Sequence, residues 1–239
     1  MRLDEVGGLK VRLAGGTDGQ GGGNGPLIIL LHGYGAPGDD LLPLAEAVSG
    51  PAGTRWIFPE GFLRHDIGYG DSRAWWLIDM ARLEADRRAG RVRDLSSEVP
   101  TGLLQARHAL ETFLTDLPRK LPVDPRKTMI GGFSQGAMLT CDLVMRTAFP
   151  FAGLIQLSGS LLAKQDWRPS VAKRAGLPVF QSHGTLDPIL PYVMAERQRD
   201  ELTSAGLKVQ WHSFHGGHEI PEPILMRLSG FVTKMVAKA

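Results

Sequence analysis

The sequence predicts an α/β fold, with a single domain over residues 1–239 whose mostly parallel central sheet is flanked by helices. Two observations favour this fold class. Short apolar stretches of strand length alternate with amphipathic stretches of helix length, as happens where helices connect parallel strands. In addition, the segment Gly132-Phe133-Ser134-Gln135-Gly136 stands between one such strand and one such helix. We find no internal repeat and no second hydrophobic core in the 239 residues.

Seven stretches have the length and apolar character of strands. They are residues 9–13, which alternate in polarity and so indicate a half-exposed strand at a sheet edge, and 27–31, 55–58, 128–131, 153–157, 178–182 and 209–214. Apolar spacing, capping residues and glycine or proline stops predict helices over 39–48, 79–88, 101–121, 137–148, 191–205 and 220–236. This alternation is what a sheet covered on both faces requires.

Two segments fall outside the alternation. Residues 14–26 contain seven glycines and no large apolar side chain, which predicts a flexible connection. They lack the spacing of a phosphate-binding loop. Residues 62–100 are the least regular region apart from the helix predicted over 79–88, and we expect them to form an irregular insertion on the substrate side.

The composition is that of an ordinary soluble globular protein, with 43% hydrophobic and 22% charged residues. The net charge of +2 gives no reason to expect nucleic acid as a partner. Arginines between residues 64 and 93 are interleaved with acidic residues, which favours a solvated helix face over a polyanion site.

The single cysteine, Cys141, excludes an intramolecular disulfide, and we expect it to be buried. Without a signal peptide or a long apolar span, we expect a cytoplasmic protein with no integral membrane segment.

The segment around Ser134 predicts a nucleophile elbow. Such a turn is too tight for side chains two residues before and after the serine, and glycines occupy both of these positions here. The serine is then held in a strained conformation with its oxygen exposed at a helix N-terminus. The alternative is a plain glycine-rich turn, which the flanking strand and helix disfavour.

Partners for such a serine follow later strands. Asp187 comes after strand 178–182 and His218 after strand 209–214, so the order is Ser134, Asp187, His218. This is the chain order of the triad in α/β-hydrolases. A serine hydroxyl needs a base, which His218 supplies, and Asp187 would orient the imidazole and stabilise its charged form. The alternatives are an Asx turn before Pro188 and a loop histidine that caps a helix.

The histidines near the C-terminus raise a metal site as a further alternative. His212, His215 and His218 fit neither the face of a helix nor that of a strand, and no carboxylate pair lies near them. We therefore expect neither a metal nor an organic cofactor. His183 is expected to brace the loop that carries Asp187.

Acyl transfer also needs hydrogen-bond donors for the oxyanion. The backbone N–H of Gln135, at the start of the helix, is the first candidate. The second is the N–H of Tyr34, because the glycines of His32-Gly33-Tyr34-Gly35 permit a close backbone approach. The alternative for this loop is an ordinary glycine turn.

Together these motifs resemble the phospholipase/carboxylesterase family, the group of compact α/β-hydrolases that includes bacterial carboxylesterases and acyl-protein thioesterases. The resemblance rests on His32-Gly33-Tyr34-Gly35, Gly132-Phe133-Ser134-Gln135-Gly136-Ala137-Met138, His183-Gly184 with Asp187-Pro188, and Gly217-His218-Glu219. It implies the α/β-hydrolase fold, the triad Ser134, Asp187 and His218, and the oxyanion donors Tyr34 and Gln135. It also allows a homodimer that partly covers the active-site face.

The resemblance further implies an acyl pocket served by Trp75-Trp76-Leu77-Ile78-Asp79. Trp75 and Trp76 are the first candidates for substrate-binding residues, with core packing as the alternative. Leu161 and Leu190 are apolar residues on loops at strand ends and are weaker candidates, for which plain core packing is an equal alternative.

We therefore expect a serine carboxylesterase that hydrolyses small-molecule esters of short to medium acyl chains through an acyl-enzyme. An acyl-protein thioesterase or a lysophospholipase is the alternative within the same chemistry. An enzyme of this fold could also cleave lactones or carbon–carbon bonds. A catalytically inactive hydrolase-fold binding protein is a remote alternative, against which the three intact triad residues argue.

Overall fold

The computed structural model describes residues 1–64, 70–91, 94–167 and 171–236. Predictions that involve residues between these ranges, such as Arg93 and parts of segment 62–100, lie outside the described residues. The strands are β1 (Arg2–Val6), β2 (Leu9–Gly16), β3 (Gln20–Gly22), β4 (Leu27–Leu31), β5 (Arg55–Pro59), β6 (Leu63–Arg64), β7 (Arg73–Ala74), β8 (Thr128–Phe133), β9 (Gly153–Leu157), β10 (Pro178–Gly184) and β11 (Lys208–Phe214). The helices are α1 (Leu44–Ala47), α2 (Met80–Arg88), α3 (Leu103–Asp116), α4 (Gln135–Arg146), α5 (Tyr192–Ser204) and α6 (Glu222–Val236).

One sheet organises the described part of the chain. Its strand order is β1-β2-β5-β4-β8-β9-β10-β11, with β3 added beside β2. The pairs from β5 through β4, β8, β9 and β10 to β11 are parallel, whereas β1–β2 and β2–β5 are antiparallel. The carboxyl ends of the parallel strands therefore meet at one edge, where an open α/β sheet places its binding site.

Both faces of the central strands are buried. In β4, Leu27, Ile29 and Leu31 pack into one hydrophobic cluster, and Ile28 and Leu30 pack into another on the opposite face. The first cluster includes buried side chains of α3 and α4, and the second includes those of α1 and α6. This burial on two faces explains why β4 is a continuous apolar run rather than an alternating one.

All seven predicted strands are present, and the main correction concerns the sheet edge. Residues 9–13 are predicted as an edge strand, but β2 lies between β1 and β5. The edge strand is β1, which the sequence analysis missed because it is mostly polar and exposed. Charged residues are common on edge strands, where they discourage pairing with another chain.

The glycine-rich segment 14–26 is also more ordered than a flexible connection. Residues 14–16 complete β2, and β3 pairs with it. Between them, the Asp18 carboxylate accepts the backbone N–H groups of Gln20 and Gly22, at 2.7 and 2.9 Å. The prediction missed β3 because hydrogen bonds to one aspartate, rather than apolar side chains, hold this turn.

Prolines account for the two helices that differ most from prediction. Helix 39–48 is reduced to α1, which begins after Pro43, and residues before it form i to i+3 turns such as Leu42 N–H to the Asp39 carbonyl. Helix 101–121 ends as α3 at Asp116 and continues as a 3-10 turn containing Pro118. Proline has no N–H to give to the preceding turn, which explains both interruptions.

Two predictions from composition agree with the structure. Cys141 is buried in α4, and burial raises the pKa of its thiol to about 12. On and beside α2, Arg88 pairs with Glu84 at 2.8 Å and Arg91 with Asp86 at 2.7 Å. These paired, exposed arginines form a solvated helix face.

Candidate active site

Ser134 lies at the junction of β8 and α4 in a strained backbone conformation. Its φ of 53° and ψ of −117° are rare for a residue that carries a side chain. Its N–H donates to the Leu157 carbonyl in β9 at 2.9 Å, and its carbonyl accepts the Met138 N–H at 3.1 Å. These two anchors hold the serine at the N-terminus of α4, as the elbow prediction requires.

The elbow has room only for glycine at residues 132 and 136, because any side chain there would clash with neighbouring backbone. A Cβ on Gly132 would lie 2.6 Å from the Leu31 carbonyl oxygen, and a Cβ on Gly136 would collide with the same atom. The loop after β4 also approaches closely, since a Cβ on Gly33 would lie 3.3 Å from the Ser134 Cβ. The end of β4 with the loop that follows it, the end of β8 and the first turn of α4 are therefore packed closely around Ser134.

Asp187 and His218 meet above the ends of β10 and β11. The distance from His218 Nδ1 to Asp187 Oδ2 is 2.6 Å. An ionised carboxylate only accepts hydrogen bonds, so Nδ1 carries the proton and Nε2 keeps its lone pair. The imidazole also packs against the ring of Phe133, the residue before Ser134, with centroids 4.7 Å apart. This arrangement leaves Nε2 as the nitrogen that can serve as a base.

The Asp187 carboxylate is fully buried but well supplied with donors. Its Oδ1 accepts the N–H groups of Ile189 and Leu190, at 2.8 and 2.9 Å. Burial by itself would raise the pKa of Asp187, but hydrogen bonds from His183, His218 and the Leu190 N–H hold that pKa well below its usual range. The Asp187 carboxylate is therefore ionised at neutral pH.

His183 approaches the same oxygen of the Asp187 carboxylate as His218 does. Its Nε2 lies 2.8 Å from the Leu190 carbonyl and 3.3 Å from Asp187 Oδ2. A carbonyl can only accept, so Nε2 carries the proton. His183 thus closes the loop from Asp187 to Leu190, in agreement with the expected bracing role.

The loop after β4 is held by a neutral histidine. His32 is buried; its Nε2 accepts the Gly61 N–H at 2.9 Å, and its Nδ1 lies 2.7 Å from the Gly33 carbonyl. Burial lowers the pKa of His32, which keeps Nε2 free to accept. The loop that carries Tyr34 is therefore anchored at its first residue.

A cavity of about 740 Å³ opens over the elbow. The residues that line it include Ser134, His218, Tyr34 and Gln135, which places the four predicted chemical groups at one site. Most of the remaining lining is apolar and is contributed by Trp76, Leu77, Ile78, Met80, Leu83, Leu95, Val99, Met138, Leu162, Ile189 and Leu190. The volume and character are those of a small-molecule site.

The cavity corrects two of the four predicted substrate-binding residues. Trp76 and Leu190 line it, but Trp75 and Leu161 do not. Trp75 has no exposed surface, and Leu161 is buried in the core. The neighbour Leu162 lines the cavity instead, because the chain after β9 turns the next side chain towards it. Sequence position alone does not tell which of two adjacent apolar residues faces the site.

The role of the Gln135 side chain was not predicted from the sequence. It is buried and hydrogen-bonds to the backbone of Trp75 and Trp76. The sequence offered one indication of this role. Gln135 is a long polar residue at the start of a helix that packs against the sheet, and a buried amide requires hydrogen-bond partners. Met138, one turn further along α4, was likewise not predicted to line the cavity.

A comparison with protein families identifies the chain. The model of the phospholipase/carboxylesterase family matches residues 21–236. The chain belongs to this family. Phospholipase/carboxylesterase proteins are serine hydrolases that include carboxylesterases and thioesterases, and the chain is accordingly a hydrolase of the carboxylic ester class. The prediction of the family is confirmed.

Individual members of the family resemble the chain along most of its length. It is 25% identical over 224 residues to acyl-protein thioesterase 1 of Candida albicans, covering 88% of this chain and 92% of that protein. It is 31% identical over 171 residues to acyl-protein thioesterase 1 of Kluyveromyces lactis, covering 69% of this chain and 71% of that protein.

Solved structures confirm the predicted α/β-hydrolase fold. Esterase PE8 has a TM-score of 0.74 and 27% identity, covering 94% of this chain and 99% of its own. The carboxylesterase of Bacillus cereus has a TM-score of 0.71 and 20% identity, covering 95% of this chain and 94% of its own. Within the described residues, no helix has the length and apolar character needed to span a membrane, and no group of three or more potential metal ligands occurs.

The hydrogen bonds of Asp187 predict the pH dependence of activity. Because hydrogen bonds hold the pKa of Asp187 well below its usual range, this carboxylate should stay ionised at mildly acid pH and should add no slope of its own to the acid side of the kcat/KM profile. Asp187→Asn should lower kcat by roughly 10⁴-fold, because the amide favours the wrong imidazole tautomer. A pH–rate profile with a soluble ester tests both. Loss of activity at mildly acid pH that Asp187→Asn removes would mean that Asp187 takes up a proton in that range.

The same carboxylate makes a stability contribution with a defined sign. Its native pKa is below the unfolded value of about 3.9, so the contribution is present above that pH and is lost as the pH falls through the native pKa. Asp187→Asn should therefore lower Tm at pH 7 and have less effect at pH 3. An equal loss of Tm at both values would contradict the assigned ionisation.

Proposed function

We propose that this protein is a serine carboxylesterase that hydrolyses esters of short- to medium-chain acids through an acyl-enzyme. The observation that carries the proposal is the 2.6 Å hydrogen bond between His218 and the buried Asp187, at the cavity that also contains Ser134. An oriented base and an elbow serine are the two elements that nucleophilic acyl transfer requires. The shared cavity gives the reacting carbonyl a place between them.

In the first half of the reaction, the Ser134 oxygen attacks the carbonyl carbon of the ester while His218 Nε2 takes the hydroxyl proton. The carbonyl oxygen becomes an oxyanion. When the tetrahedral intermediate collapses, the bond to the leaving oxygen breaks, and His218 gives its proton to the departing alcohol. Asp187 remains ionised throughout and stabilises the imidazolium.

In the second half, water takes the place of the alcohol. His218 Nε2 accepts a proton from water as the water oxygen bonds to the acyl carbon. Collapse breaks the bond to the Ser134 oxygen, which recovers its proton from His218, and the carboxylic acid leaves. The two halves are chemically symmetrical, so one base serves both.

The backbone N–H groups of Gln135 and Tyr34 are the proposed oxyanion donors. Gln135 is the first residue of α4, where N–H groups have no partner within the helix and the helix dipole favours negative charge. Tyr34 lies on the loop whose neighbour Gly33 packs against Ser134. Losing one such donor typically lowers kcat by about 10²–10³-fold.

Thioester hydrolysis is the second candidate, because the relatives in Candida albicans and Kluyveromyces lactis are named acyl-protein thioesterase 1. The triad and the oxyanion donors act on the carbonyl group, which esters and thioesters share. The apolar lining of the cavity suits the acyl chain of either substrate. The two candidate reactions therefore differ in the leaving group, which is an alcohol for an ester and a thiol for a thioester.

The assignment of Ser134 predicts the effect of removing its hydroxyl. Ser134→Ala should reduce hydrolysis of p-nitrophenyl butyrate to background, because no acyl-enzyme can form. A fluorophosphonate should add its mass to Ser134 of the wild-type protein and leave the variant unlabelled. Turnover that persists in the variant, or a label on another residue, would contradict the proposed nucleophile.

A matched pair of substrates tests ester against thioester preference. Ethyl butyrate and ethyl thiobutyrate form the same acyl-enzyme. If the ester is the preferred class, kcat/KM for ethyl butyrate should equal or exceed that for ethyl thiobutyrate, because His218 protonates the leaving alkoxide. Thiolates leave without this help. A thioester preference of tenfold or more would favour the second candidate.

The cavity lining predicts which tryptophan controls acyl length. Trp76→Ala should enlarge the cavity and shift the preferred p-nitrophenyl ester towards longer chains. Trp167 is similarly buried but does not line the active-site cavity, so Trp167→Ala is the matched control. Both changes should lower stability by about 3–5 kcal/mol. An unchanged acyl-length profile in Trp76→Ala would place that side chain outside the substrate path.

A further inference from the structure

We propose that the Gln135 side chain and residues 73–76, here called the bridging segment, act as positioning residues that hold the two oxyanion loops at a fixed separation. One loop follows β4 and carries Tyr34; the other is the elbow, which carries Gln135. The proposal rests on the proposed function and adds to it a coupling between the two loops. It gives Trp75 a role different from the contact with substrate that the sequence predicts.

The Gln135 side chain connects the elbow to the bridging segment. Its Oε1 accepts the Trp75 N–H at 3.0 Å, and its Nε2 donates to the Trp76 carbonyl at 2.8 Å. The residue has only 1% of its surface exposed, so water does not compete for these bonds. One side chain thus satisfies two backbone groups of a neighbouring segment without using the Gln135 N–H that is proposed for the oxyanion.

The bridging segment connects in turn to the loop after β4. The Trp75 Nε1–H donates to the His32 carbonyl at 3.1 Å. The Gly35 N–H donates to the Arg73 carbonyl at 2.8 Å, and the Arg73 N–H donates to the Ala36 carbonyl at 3.0 Å. These three bonds fall on both sides of Tyr34. The loop is therefore fixed before and after the proposed donor.

A network of charges holds the outer end of the bridging segment. Arg73 Nη2 lies 3.0 Å from Glu60 Oε1, and Arg12 Nη1 lies 2.9 Å from Glu60 Oε2. Glu60 is buried, and it follows β5 directly. The segment is thus tied to the sheet at Arg73 and to the elbow at Trp75 and Trp76, which leaves little freedom for it to shift.

Such a brace affects chemistry because oxyanion donors act through geometry. The two N–H groups come from Tyr34 and Gln135, which are far apart in the chain, and must converge on one oxygen atom. A displacement of about 1 Å near the reacting atoms can lower the rate about 10²-fold. Trp76 lines the acyl cavity on the same bridging segment, so this segment also links the donors to the cavity wall.

Gln135→Met tests the inference, because methionine keeps the length of the side chain and removes both hydrogen bonds. We expect kcat for p-nitrophenyl butyrate to fall roughly 10²-fold with little change in KM. Butylboronic acid, which bonds to the serine oxygen as a tetrahedral adduct, should bind more weakly by a similar factor. Butyrate, which has no such adduct, should bind as it does to the wild-type protein.

Gln135→Glu is a second variant, and its kcat relative to that of the wild-type protein should depend on pH. An ionised glutamate still accepts the Trp75 N–H but repels the Trp76 carbonyl, whereas the protonated acid restores a donor to it. The ratio of variant to wild-type kcat should therefore rise as the pH falls. A general folding defect would make the ratio constant or make it fall at acid pH.

Gln198→Met is the matched control. Gln198 is also fully buried, and its amide bonds to Gln156 and Gln181 at 3.1 and 3.3 Å, in the core away from the cavity. This variant should lose stability but keep the wild-type kcat and boronate affinity. An equal loss of kcat in Gln198→Met and Gln135→Met would reduce the effect to general destabilisation and overturn the proposal.

Failure of this inference is distinguishable from failure of the proposed function. If wild-type protein hydrolyses esters and Gln135→Met retains its kcat and boronate affinity, only the bracing role is wrong. If wild-type protein neither hydrolyses esters nor binds butylboronic acid, the proposed function fails and the inference fails with it.

Discussion

The contact between the end of β4 and the first turn of α4 is the constraint on which the active site depends. The Leu31 carbonyl occupies the space that a Cβ on Gly132 or Gly136 would need, so the chain can pass from β8 into α4 only with glycine at both positions. That passage forces Ser134 into its positive φ and aims its N–H at β9. It also brings the Gly33 backbone beside the serine. The strain is local, and the sheet on either side holds it in place.

The features that could be predicted from the sequence all depend on local patterns of a few consecutive residues. Apolar runs identified the central strands β4, β5, β8, β9 and β10, because strands buried on both faces cannot be polar. The glycines identified the elbow, and the loops at strand ends identified Asp187 and His218. The prolines could have given the ends of α1 and α3, since the cause of both interruptions is visible in the sequence. Residue spacing therefore predicted the fold and the residues that are proposed to act chemically, but not the walls of the cavity.

The missed features depend on contacts between segments far apart in sequence. Whether Leu161 or Leu162 faces the cavity depends on how the chain leaves β9, which apolar character does not reveal. Trp75 has the large apolar side chain expected of a substrate-binding residue, but it is fully buried, and its indole N–H donates to the His32 carbonyl. The Gln135 side chain reaches a segment some sixty positions earlier. A buried polar group requires a partner, and the sequence alone cannot say which one.

The distribution of charge divides the site into two parts with different properties. Asp187 is ionised and hydrogen-bonds to the imidazole of His218, which would change its charge in the proposed reaction. The loop after β4 is anchored by His32, which burial keeps neutral, and the elbow is braced by an amide that does not titrate. A protonated His32 could no longer accept the Gly61 N–H, so neutrality is required for that anchor. Beside this loop, Glu60 and Arg73 are paired with each other. In the proposed reaction, the charge changes on His218, which Asp187 supports. The proposed oxyanion donors are held instead by the neutral His32 and by the Gln135 amide.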